Sequence, residues 1–515
     1  MSLIAASALT TPRDRNASAL SGDSNTASPG FLSNPDKQHW IDGKWVASLA
    51  GERIETFNPT TGRLLATLAR GREADVDAAV KSARRAFQGP WSSFTAGQRQ
   101  RLLMRFAELF EKHFDELTLL ESLDMGAPLI TRLRPAKNGA LQTILYFAAQ
   151  ARNLGGELPG HSLPGAFTTM LVRAPVGVVG GIVPWNGPLF GQMHILGPAL
   201  ATGCTVVLKP AEDASLAILR TAELLVEAGV PPGVVNVVTG LGSEAGAALA
   251  SHMDVDRVAF TGSTATGRAI IKASAGNMKR LQLELGGKSP DIVFADADLD
   301  KAVPGVAMGV FSNSGQICFA GTRVFVQRSI QDEFVERLGA YSKTLKVGDP
   351  LAADTNLGPL ISRRQLDRVL QYVGIGSQEG AQLVAGGKRL TGELSDGYFI
   401  EPTLFSNVSN SMTIAREEIF GPVASVIGFN TADEALALGN ATDYGLASGV
   451  WTRNINTALK MANGIQAGTV WVNCYGVVDP SVGFGGYKQS GYGWKGGRAQ
   501  IDGYLYQKAV YIDGN

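Results

Sequence analysis

The sequence predicts an α/β protein with two parallel-sheet units and a small β arm, and three patterns lead to this prediction. From residue 176 to 285, short apolar runs alternate with helical segments such as 214–229. A second alternation runs from about 298 to 472. Strands that alternate with helices indicate a parallel sheet covered on both faces, doubly wound in the first unit. The last segment, YLYQKAVYID at 504–513, alternates like an edge strand and has no hairpin partner.

Local spacing predicts the individual elements. In HWIDGKWV at 39–46, Asp42-Gly43 lies between two apolar-flanked runs, which is the strongest short signal for a hairpin. Apolar residues at helical spacing predict two amphipathic helices, within 76–87 and 103–117. Strands are expected at VGVVGGIV, TVVLK, VVNVV, RVAF and LQLEL in the first unit and at RVFVQ, VASVIGF, ASGVWT and GTVWVN in the second.

The composition excludes several classes of protein. A chain of 515 residues is too long for one hydrophobic core and predicts two or three domains. Its 46 basic and 46 acidic residues balance, so no charge excess favours nucleic acid or an anionic membrane. The longest apolar runs, such as 174–185, contain glycine and proline and are shorter than the roughly 20 residues of a membrane helix. We therefore expect no nucleic-acid and no membrane partner.

The cysteines and the N-terminal segment bear on the cell compartment. Cys204, Cys318 and Cys474 lie more than a hundred residues apart, which argues against a disulfide framework and a C-x-x-C metal site. This usage fits a reducing compartment, and we expect a cytoplasmic protein without a metal. Residues 1–36 are rich in Ser, Ala, Thr and Asn and lack an apolar core, so a disordered tail is favoured over a transit-type peptide.

Three residues have side chains suited to chemistry, and each also has a plain structural alternative. Cys318, in SNSGQICFAG, is either a buried thiol that fills space or a nucleophile. Asn186, in IVPWNGP, is either an oxyanion donor or part of an ordinary turn. Glu284 lies between two leucines at a strand end, where desolvation raises the pKa of a carboxyl towards that of a general base. The alternative for Glu284 is an exposed position on the polar face of the strand.

Two further motifs fall where parallel strands end, the edge at which open α/β sheets bind ligands. In AFTGSTATG, Gly262 and Gly267 bracket a turn that opens a helix, which is either an anion site for a pyrophosphate or a tight turn. In VVLKPAE, Lys209 and Glu212 are either ligand contacts or a surface ion pair. LELGGKSP matches the end of a P-loop, but that motif needs glycine where Gln282 stands, so the match fails.

The motifs occur in one order along the chain. P-W-N, K-P-A-E, F-T-G-S, L-E-L-G-G-K-S-P and G-Q-x-C are followed by EEIFGPV at 417–423 and GFGGYKQSGYG at 483–493. In this the chain resembles the aldehyde dehydrogenase superfamily, in its NAD(P)-dependent hydrolytic branch. The resemblance covers about residues 37–513 and implies NAD-dependent oxidation of an aldehyde to the carboxylic acid. The alternatives are a CoA-acylating or semialdehyde dehydrogenase of the same fold, or a non-catalytic structural relative.

The resemblance implies a role for each motif. Cys318 matches the catalytic thiol that forms a thiohemiacetal and then a thioester. Asn186 matches the side chain that holds the oxyanion, and Glu284 the base that activates the hydrolytic water. A carboxylate at Glu212 would repel a 2′-phosphate, so we predict NAD, with NADP less favoured. The residues implied to bind this cofactor are Trp185, Lys209, Glu212, Gly262, Ser263, Glu418 and Phe420.

The resemblance also implies how the chain is divided. Residues 37–155 and 176–286 are expected to form the doubly wound cofactor domain, which binds NAD, and 287–489 the second α/β domain, which is catalytic. Residues 156–175 and 490–515 are expected to form the small β oligomerisation arm, which bridges the subunits of a homodimer or homotetramer.

Small residues stand where many members of the superfamily have bulky ones, and they predict a wide substrate tunnel. Such a tunnel favours a bulky, apolar aldehyde of aromatic or terpenoid-like type. Two departures from the superfamily pattern, Gly483 in place of proline and WKGG at 494–497, are expected to change loop rigidity without touching the chemistry. The residues expected to line the pocket are Gly187, Gly191, Ile317, Phe319, Gly476, Val478 and Phe484.

Overall fold

The computed structural model describes residues 30–129 and 135–514. The strands in these residues are β1 Asp36–Lys37, β2 His39–Ile41, β3 Lys44–Val46, β4 Arg53–Phe57, β5 Leu64–Ala69, β6 Phe167–Pro175, β7 Val178–Val183, β8 Thr205–Pro210, β9 Val235–Val237, β10 Arg257–Thr261, β11 Arg280–Glu284, β12 Pro290–Val293, β13 Arg323–Gln327, β14 Gln382–Ala385, β15 Thr403–Ser406, β16 Val423–Phe429, β17 Tyr444–Gly445, β18 Ala447–Trp451, β19 Thr469–Val472, β20 Tyr487–Lys488, β21 Gly491–Tyr492 and β22 Leu505–Asp513. The α-helices are α1 Glu73–Gln88, α2 Ala96–Lys112, α3 Phe114–Met125, α4 Pro135–Gln150, α5 Pro188–Thr202, α6 Leu216–Glu227, α7 Ala247–Ser251, α8 Thr264–Ala273, α9 Leu299–Phe311, α10 Gln331–Thr344, α11 Arg363–Gln378, α12 Thr413–Arg416, α13 Ala432–Asn440, α14 Ile455–Gly464 and α15 Gly497–Asp502.

The first sheet has eight strands in the order β21-β11-β10-β7-β8-β9-β2-β3, and the five strands from β11 to β9 are parallel. From β7 the chain adds β8 and β9 on one side, then returns to add β10 and β11 on the other. This is the predicted doubly wound order. The predicted hairpin is confirmed as β2 and β3, because Asp42 and Gly43 have φ of 57° and 73°, as a type I′ turn requires.

The second sheet has seven strands in the order β14-β15-β16-β13-β12-β18-β19. All neighbours pair in parallel except β14 and β15, which are antiparallel. The four strands predicted in this part of the chain are confirmed as β13, β16, β18 and β19. The pattern of short apolar runs is therefore sufficient to locate most of the parallel strands.

The helices cover both faces of the first sheet, and the alternation of side chains along β7 shows how. Val179 and Val183 contribute to the core beneath α2, α5 and α6, whereas Val178 and Ile182 contribute to the core beneath α1. Burying each such side chain stabilises the fold by about 1.5–3 kcal/mol. A strand that is buried on both faces reads as a continuous apolar run, which is why VGVVGGIV shows no alternation.

One predicted helix is divided in two. The stripe within 103–117 was expected to form a single helix, but α2 ends at Lys112 and α3 begins at Phe114. Between them His113 has φ −100° and ψ 14°, outside the helical region. The rings of Phe110 and Phe114 remain 5.8 Å apart across the break, so the apolar stripe continues and conceals it.

The N-terminal boundary also needs correction. The predicted disordered tail at 1–36 is too long, because Gly30–Ser33 form a 3₁₀ turn and Asp36–Lys37 form β1, which pairs with β5. The Lys37 ammonium donates to the carbonyl of Phe31 at 2.5 Å and lies over its ring, which fixes this turn to the sheet. Residues 1–29 lie outside the described part of the chain.

The predicted C-terminal strand is confirmed as β22, and the structure supplies its partner. β22 pairs antiparallel with β6 in a continuous ladder from Leu505↔Pro175 to Asp513↔Phe167. These two strands form a sheet of their own beside the two larger ones. None of the helices in 30–129 and 135–514 is long and apolar enough to cross a bilayer.

Candidate active site

The candidate site lies where the edges of the two large sheets meet. The parallel strands β7, β8 and β10 end at one edge of the first sheet, and the strand order reverses between β7 and β10, where open α/β sheets bind ligands. Cys318 precedes β13 and Glu418 precedes β16, so both lie at the amino edge of the second sheet. Asn186, which follows β7, donates from Nδ2 to the carbonyl of Gln316 at 2.9 Å and joins the two edges.

Lys209 and Glu212 form an ion pair at the end of β8. The Lys209 Nζ to Glu212 Oε2 distance is 2.9 Å, with the lysine buried and the glutamate partly exposed. Burial raises the pKa of Glu212, but the charge and hydrogen bond of Lys209 lower it by more, so this pKa lies below its ordinary value. Glu212 is therefore a carboxylate that faces the ligand edge. Because Lys209 is buried, the alternative of a surface ion pair is wrong.

The turn after β10 opens α8 as predicted. Ser263 caps this helix, accepting the Thr266 N–H at 3.2 Å, and Gly262 donates its N–H to the carbonyl of Glu284 at 3.0 Å. A Cβ at Gly262 would overlap the ring of Phe260, so the backbone requires glycine for packing. The tight-turn alternative therefore describes this segment. The same turn opens α8, and a helix N-terminus suits an anion, so the two alternatives do not exclude each other.

Trp185 and Phe420 bring the two units into contact. Their rings meet edge to face, with centroids 5.1 Å apart at 86°. Phe420 has a φ of 62°, which is uncommon for a residue with a side chain, and its carbonyl accepts from Gln365 Nε2 at 2.8 Å. Glu418 Oε1 accepts the Gly287 N–H at 3.2 Å. Burial raises the pKa of Glu418 to about 7, against the opposing effects of that N–H, Lys288 and Arg368.

A left-handed turn positions the cysteine loop. After α9, the residues Asn313, Ser314 and Gly315 have φ of 53°, 55° and 71°. A Cβ at Gly315 would overlap the carbonyl of Gly421, so only glycine allows this approach. Gln316 then fixes the loop, because its Oε1 accepts the Ile361 N–H at 2.9 Å. The Gly-Gln pair ahead of Cys318 thus anchors the loop that presents the thiol.

Cys318 is half-buried, and its surroundings oppose its ionisation. Burial raises the pKa of the Cys318 thiol to about 12. The charge of Lys495 acts in the opposite direction, whereas Glu418 and Glu284 raise the pKa further. The thiol is therefore protonated at neutral pH in this arrangement, and the reaction must include a way to remove its proton.

Asn186 is held beside this loop by two hydrogen bonds. Its side-chain amide donates to the carbonyl of Gln316, two residues before Cys318, and its own carbonyl accepts from Asn313 Nδ2 at 3.2 Å. Asn186 was expected to be either an oxyanion donor or part of an ordinary turn. The two are compatible, because the turn directs its side-chain amide to the cysteine loop. An amide fixed in this way can act as a hydrogen-bond donor without reorganisation.

Glu284 is the last residue of β11, and its side chain is 2% exposed. Neither carboxyl oxygen has a hydrogen-bond partner among the described residues. Burial raises the pKa of Glu284 to about 8, and the charge of Lys495 limits the rise. The predicted desolvation is confirmed, and the alternative of an exposed residue on the polar strand face is wrong.

Three aromatic side chains form a cluster beside the thiol, which we call the aromatic cluster: Phe319, Trp471 and Phe484. The Phe319 ring lies 5.5 Å from Trp471 and 5.8 Å from Phe484, centroid to centroid. Tyr475 donates from its hydroxyl to the carbonyl of Phe319 at 2.6 Å and so fixes the backbone next to Cys318. The cluster gives the space in front of the thiol an apolar boundary.

The small residues predicted for the pocket occupy different positions. Gly476 has φ 74°, and a Cβ there would stand 3.7 Å from Phe319, at the aromatic cluster. A Cβ at Gly191 would instead press on Val183 at 3.3 Å, at the end of β7. Gly187 is the N-cap of α5, Val478 is exposed, and Ile317 is half-buried beside Cys318.

Three residues of the site were not predicted: Trp471, Tyr475 and Lys495. Trp471 lies in the strand GTVWVN and Tyr475 just after it. The alternation of side chains along this strand does not show which face of the sheet lies towards the cysteine loop. The WKGG segment was expected to change loop rigidity without touching the chemistry; the charge of its Lys495 lowers the pKa of both Cys318 and Glu284. Within the described residues there is no cluster of three side chains that could hold a metal ion.

The sequence of the whole chain decides the family. The model of the aldehyde dehydrogenase family matches residues 45–510. The chain belongs to the aldehyde dehydrogenase family. Aldehyde dehydrogenase 1 of Tanacetum cinerariifolium is 48% identical over 92% of this chain and 94% of its own length. The mitochondrial aldehyde dehydrogenase of Homo sapiens is 45% identical over 96% of both chains.

Solved aldehyde dehydrogenases have the same fold. The NAD⁺ complex of aldehyde dehydrogenase from Bacillus cereus superposes with a TM-score of 0.92 at 44% identity, covering 94% of this chain and 98% of that one. A betaine aldehyde dehydrogenase from Staphylococcus aureus, also with NAD⁺, has a TM-score of 0.92 at 39% identity, covering 94% of this chain and 96% of that one. The present aldehyde dehydrogenase is thus an oxidoreductase that acts on aldehydes.

Proposed function

We propose that this aldehyde dehydrogenase oxidises a bulky, apolar aldehyde with NAD and releases the free carboxylic acid. The observation that carries the proposal is Glu284, a buried carboxyl whose oxygens have no hydrogen-bond partner in residues 30–129 and 135–514 and whose charge raises the pKa of Cys318. A buried carboxyl that served the fold alone would be paired. A carboxyl that must take a proton from water needs a raised pKa and oxygens that are not engaged in other hydrogen bonds. Among the described residues, Glu284 meets both conditions.

In the first step Cys318 is the nucleophile. The S–H proton passes to solvent water, the sulfur bonds to the carbonyl carbon, and the π electron pair moves to the oxygen, which becomes an oxyanion. Asn186, held against Gln316, is proposed to donate to that oxyanion together with the backbone N–H of Cys318. NAD, when bound, supplies the hydride acceptor for the same carbon. The protein is left with a thioester at Cys318.

In the second step Glu284 is the base. It takes a proton from a water molecule, whose oxygen then bonds to the thioester carbon. The carbon–sulfur bond breaks, the electron pair returns to Cys318 as thiolate, and the carboxylic acid is released. Free acid formed without added CoA supports this step over acyl transfer to CoA. A strict requirement for CoA would show that the acylating alternative applies.

The residues at the end of β8 suit NAD better than NADP. Glu212 is ionised and partly exposed, so it can accept hydrogen bonds from ribose hydroxyls and repels a 2′-phosphate. Glu418 and Phe420, which join the two units at the cysteine loop, are proposed to position the nicotinamide end. Ser263 at the N-terminus of α8 is proposed as the pyrophosphate contact.

Glu212→Gln is expected to raise the ratio of kcat/KM for NADP to that for NAD by about tenfold, because it removes the charge that repels the phosphate. The measurement is steady-state NADH and NADPH formation with one aldehyde. Glu227→Gln removes an exposed carboxylate at the end of α6 and is the matched control. Preference of the unaltered enzyme for NADP would contradict the assignment.

The aromatic cluster favours aromatic or branched aldehydes. With about thirty aldehydes, kcat/KM is expected to be about tenfold higher for benzaldehyde-type substrates than for acetaldehyde, since ring contacts contribute about 0.5–1.5 kcal/mol beyond burial. Phe319→Ala is expected to reduce this difference more than Phe57→Ala, which changes an exposed ring at the end of β4. Clearly higher kcat/KM for short-chain aldehydes in the unaltered enzyme would contradict the substrate class.

The arm of β6 and β22 is proposed to bridge subunits of a homodimer or homotetramer. Leu158, beside the arm, is 76% exposed and Tyr511 on β22 is 64% exposed, which is costly for apolar side chains in a single chain. The division into cofactor domain, catalytic domain and arm is proposed with the boundaries that the sequence predicts, except that described structure begins at Gly30 and β21 belongs to the first sheet. Three free cysteines suit a reducing compartment, and we propose a cytoplasmic enzyme.

A further inference from the structure

The segment that follows β20 places a lysine at the aromatic cluster. Lys495 and Phe484 exchange both backbone N–H···O=C hydrogen bonds at 2.7 Å, as an isolated antiparallel bridge. Residues paired in this way direct their side chains to the same face. Phe484 contacts the ring of Phe319, the residue next to Cys318, so this pairing brings Lys495 to the part of the site that holds the cysteine loop.

The same segment is fixed to the strand that ends in Glu284. β21 pairs antiparallel with the end of β11, with Gly491 opposite Glu284, and Gln282 Nε2 donates to the carbonyl of Trp494 at 2.9 Å. The backbone around Lys495 is therefore held on one side by the strand that ends in Glu284 and on the other by the bridge to Phe484. Its position is set by backbone pairing and not by a flexible loop.

The charge of Lys495 has no ion-pair partner among the described residues, and its side chain is half-buried. It lowers the pKa of three groups, Cys318, Glu284 and His194. Burial lowers the pKa of His194 to about 3, so that imidazole is neutral and adds no positive charge. The other charged group that acts on Cys318 is Glu418, which is acidic.

We propose that Lys495 is the cation that balances the two negative charges the reaction requires, the thiolate of Cys318 and the carboxylate of Glu284. This inference rests on the proposed roles of those two residues. Lys495 acts through their ionisation and is a positioning residue, with no bond to the substrate. Its aliphatic stem can pack on the apolar surroundings while the ammonium group remains near both anions.

The need for such a cation follows from the arrangement of the acids. The thiol and two carboxyl groups, Glu284 and Glu418, act on one another in a pocket where burial already disfavours each charge. Ionising Cys318 beside an ionised Glu284 would be opposed by like charge. A fixed ammonium group stabilises both the thiolate and the carboxylate. Attack by the thiolate and hydrolysis by the carboxylate can then take place at the same pH.

The test compares Lys495→Met, which removes the charge, with Lys495→Arg, which retains it. The exposed Lys301→Met is the matched control for loss of one positive charge. The first measurement is the rate of alkylation of Cys318 by iodoacetamide against pH in the free protein, with the site verified by peptide mass. Lys495→Met is expected to raise the apparent pKa by about one pH unit, with about tenfold slower alkylation near pH 7.

The second measurement is the pH profile of kcat/KM, whose acid limb is expected to move to higher pH in Lys495→Met and to stay in place in Lys495→Arg and Lys301→Met. Coincident alkylation profiles for Lys495→Met and the unaltered protein would overturn the inference, as would equal shifts in Lys495→Met and Lys495→Arg. Absence of NADH formation by the unaltered protein with any aldehyde would instead overturn the proposed function. Thermal unfolding of each variant shows whether it is folded, and Lys495→Gln, which is also neutral, replaces Lys495→Met with the same expected shifts if Lys495→Met does not fold.

Discussion

Cys318→Ala is expected to lower aldehyde-dependent NADH formation by at least about a thousandfold, because it removes the proposed nucleophile. The backbone of the loop should be unchanged, since Gly315 and Gln316 fix it through contacts that do not involve the thiol. Cofactor binding should therefore survive in the variant. The measurements are initial rates of NADH formation and the affinity for NAD by fluorescence titration.

Cys204→Ala is the matched control for the loss of a cysteine. Cys204 is fully buried in the core of the first unit, where its sulfur contacts the hydroxyl of Thr202 and the carbonyl of Tyr504 at 3.4 and 3.5 Å. Burial raises its pKa, so it is an inert thiol. Activity retained in Cys318→Ala, or lost equally in Cys204→Ala, would contradict the assignment of the nucleophile.

The residues that the sequence alone places correctly are those whose environment is local. Glu284 is flanked by leucines at the end of an apolar run, and a parallel strand covered on both faces buries its side chains wherever they point. The hairpin at Asp42 follows in the same way from two adjacent residues. In both cases the backbone conformation and the burial depend on a few neighbours in the chain.

Other features depend on pairings between distant residues and leave no local signal. β22 pairs with β6 across more than three hundred residues, and either strand alone reads as an unpaired edge. Lys495 reads as a surface lysine in a glycine-rich turn until the bridge to Phe484 places it near the thiol. The break at His113 is hidden for a different reason, because the apolar period continues through it.

Glu284→Gln is expected to give a burst of about one NADH per site followed by a steady-state rate at least about a hundredfold lower. The thiol and Asn186 remain, so the thioester forms, but an amide cannot take the proton from water. The measurement is rapid-mixing absorbance of NADH, with intact mass to detect the acyl group on Cys318. Glu227→Gln, in an exposed helix end, should keep the full steady-state rate of the unaltered enzyme. A full steady-state rate in Glu284→Gln would refute its role as base.

The pH dependence of the unaltered enzyme provides an independent check on Glu284. Because its pKa is raised to about 8, the carboxylate needed for hydrolysis is a minor form at pH 7 and becomes the major form above pH 8. Turnover limited by hydrolysis should therefore rise with pH through about 8. A pH-independent rate between 6 and 9 would show that another group takes the proton.

The same raised pKa makes Glu284 costly for the fold. In the unfolded chain the carboxyl ionises near its ordinary pKa of 4.5, whereas in the folded protein it keeps its proton up to about 8. Stability is therefore fully present below pH 4.5 and falls as the pH rises towards 8, by an amount on the order of 5 kcal/mol. Glu284→Gln cannot ionise and should lose this slope, so its melting temperature should exceed that of the unaltered protein at pH 8 and match it near pH 5. Loss of turnover together with a gain in stability at pH 8 in Glu284→Gln would show that this carboxyl serves the proposed chemistry and not the fold.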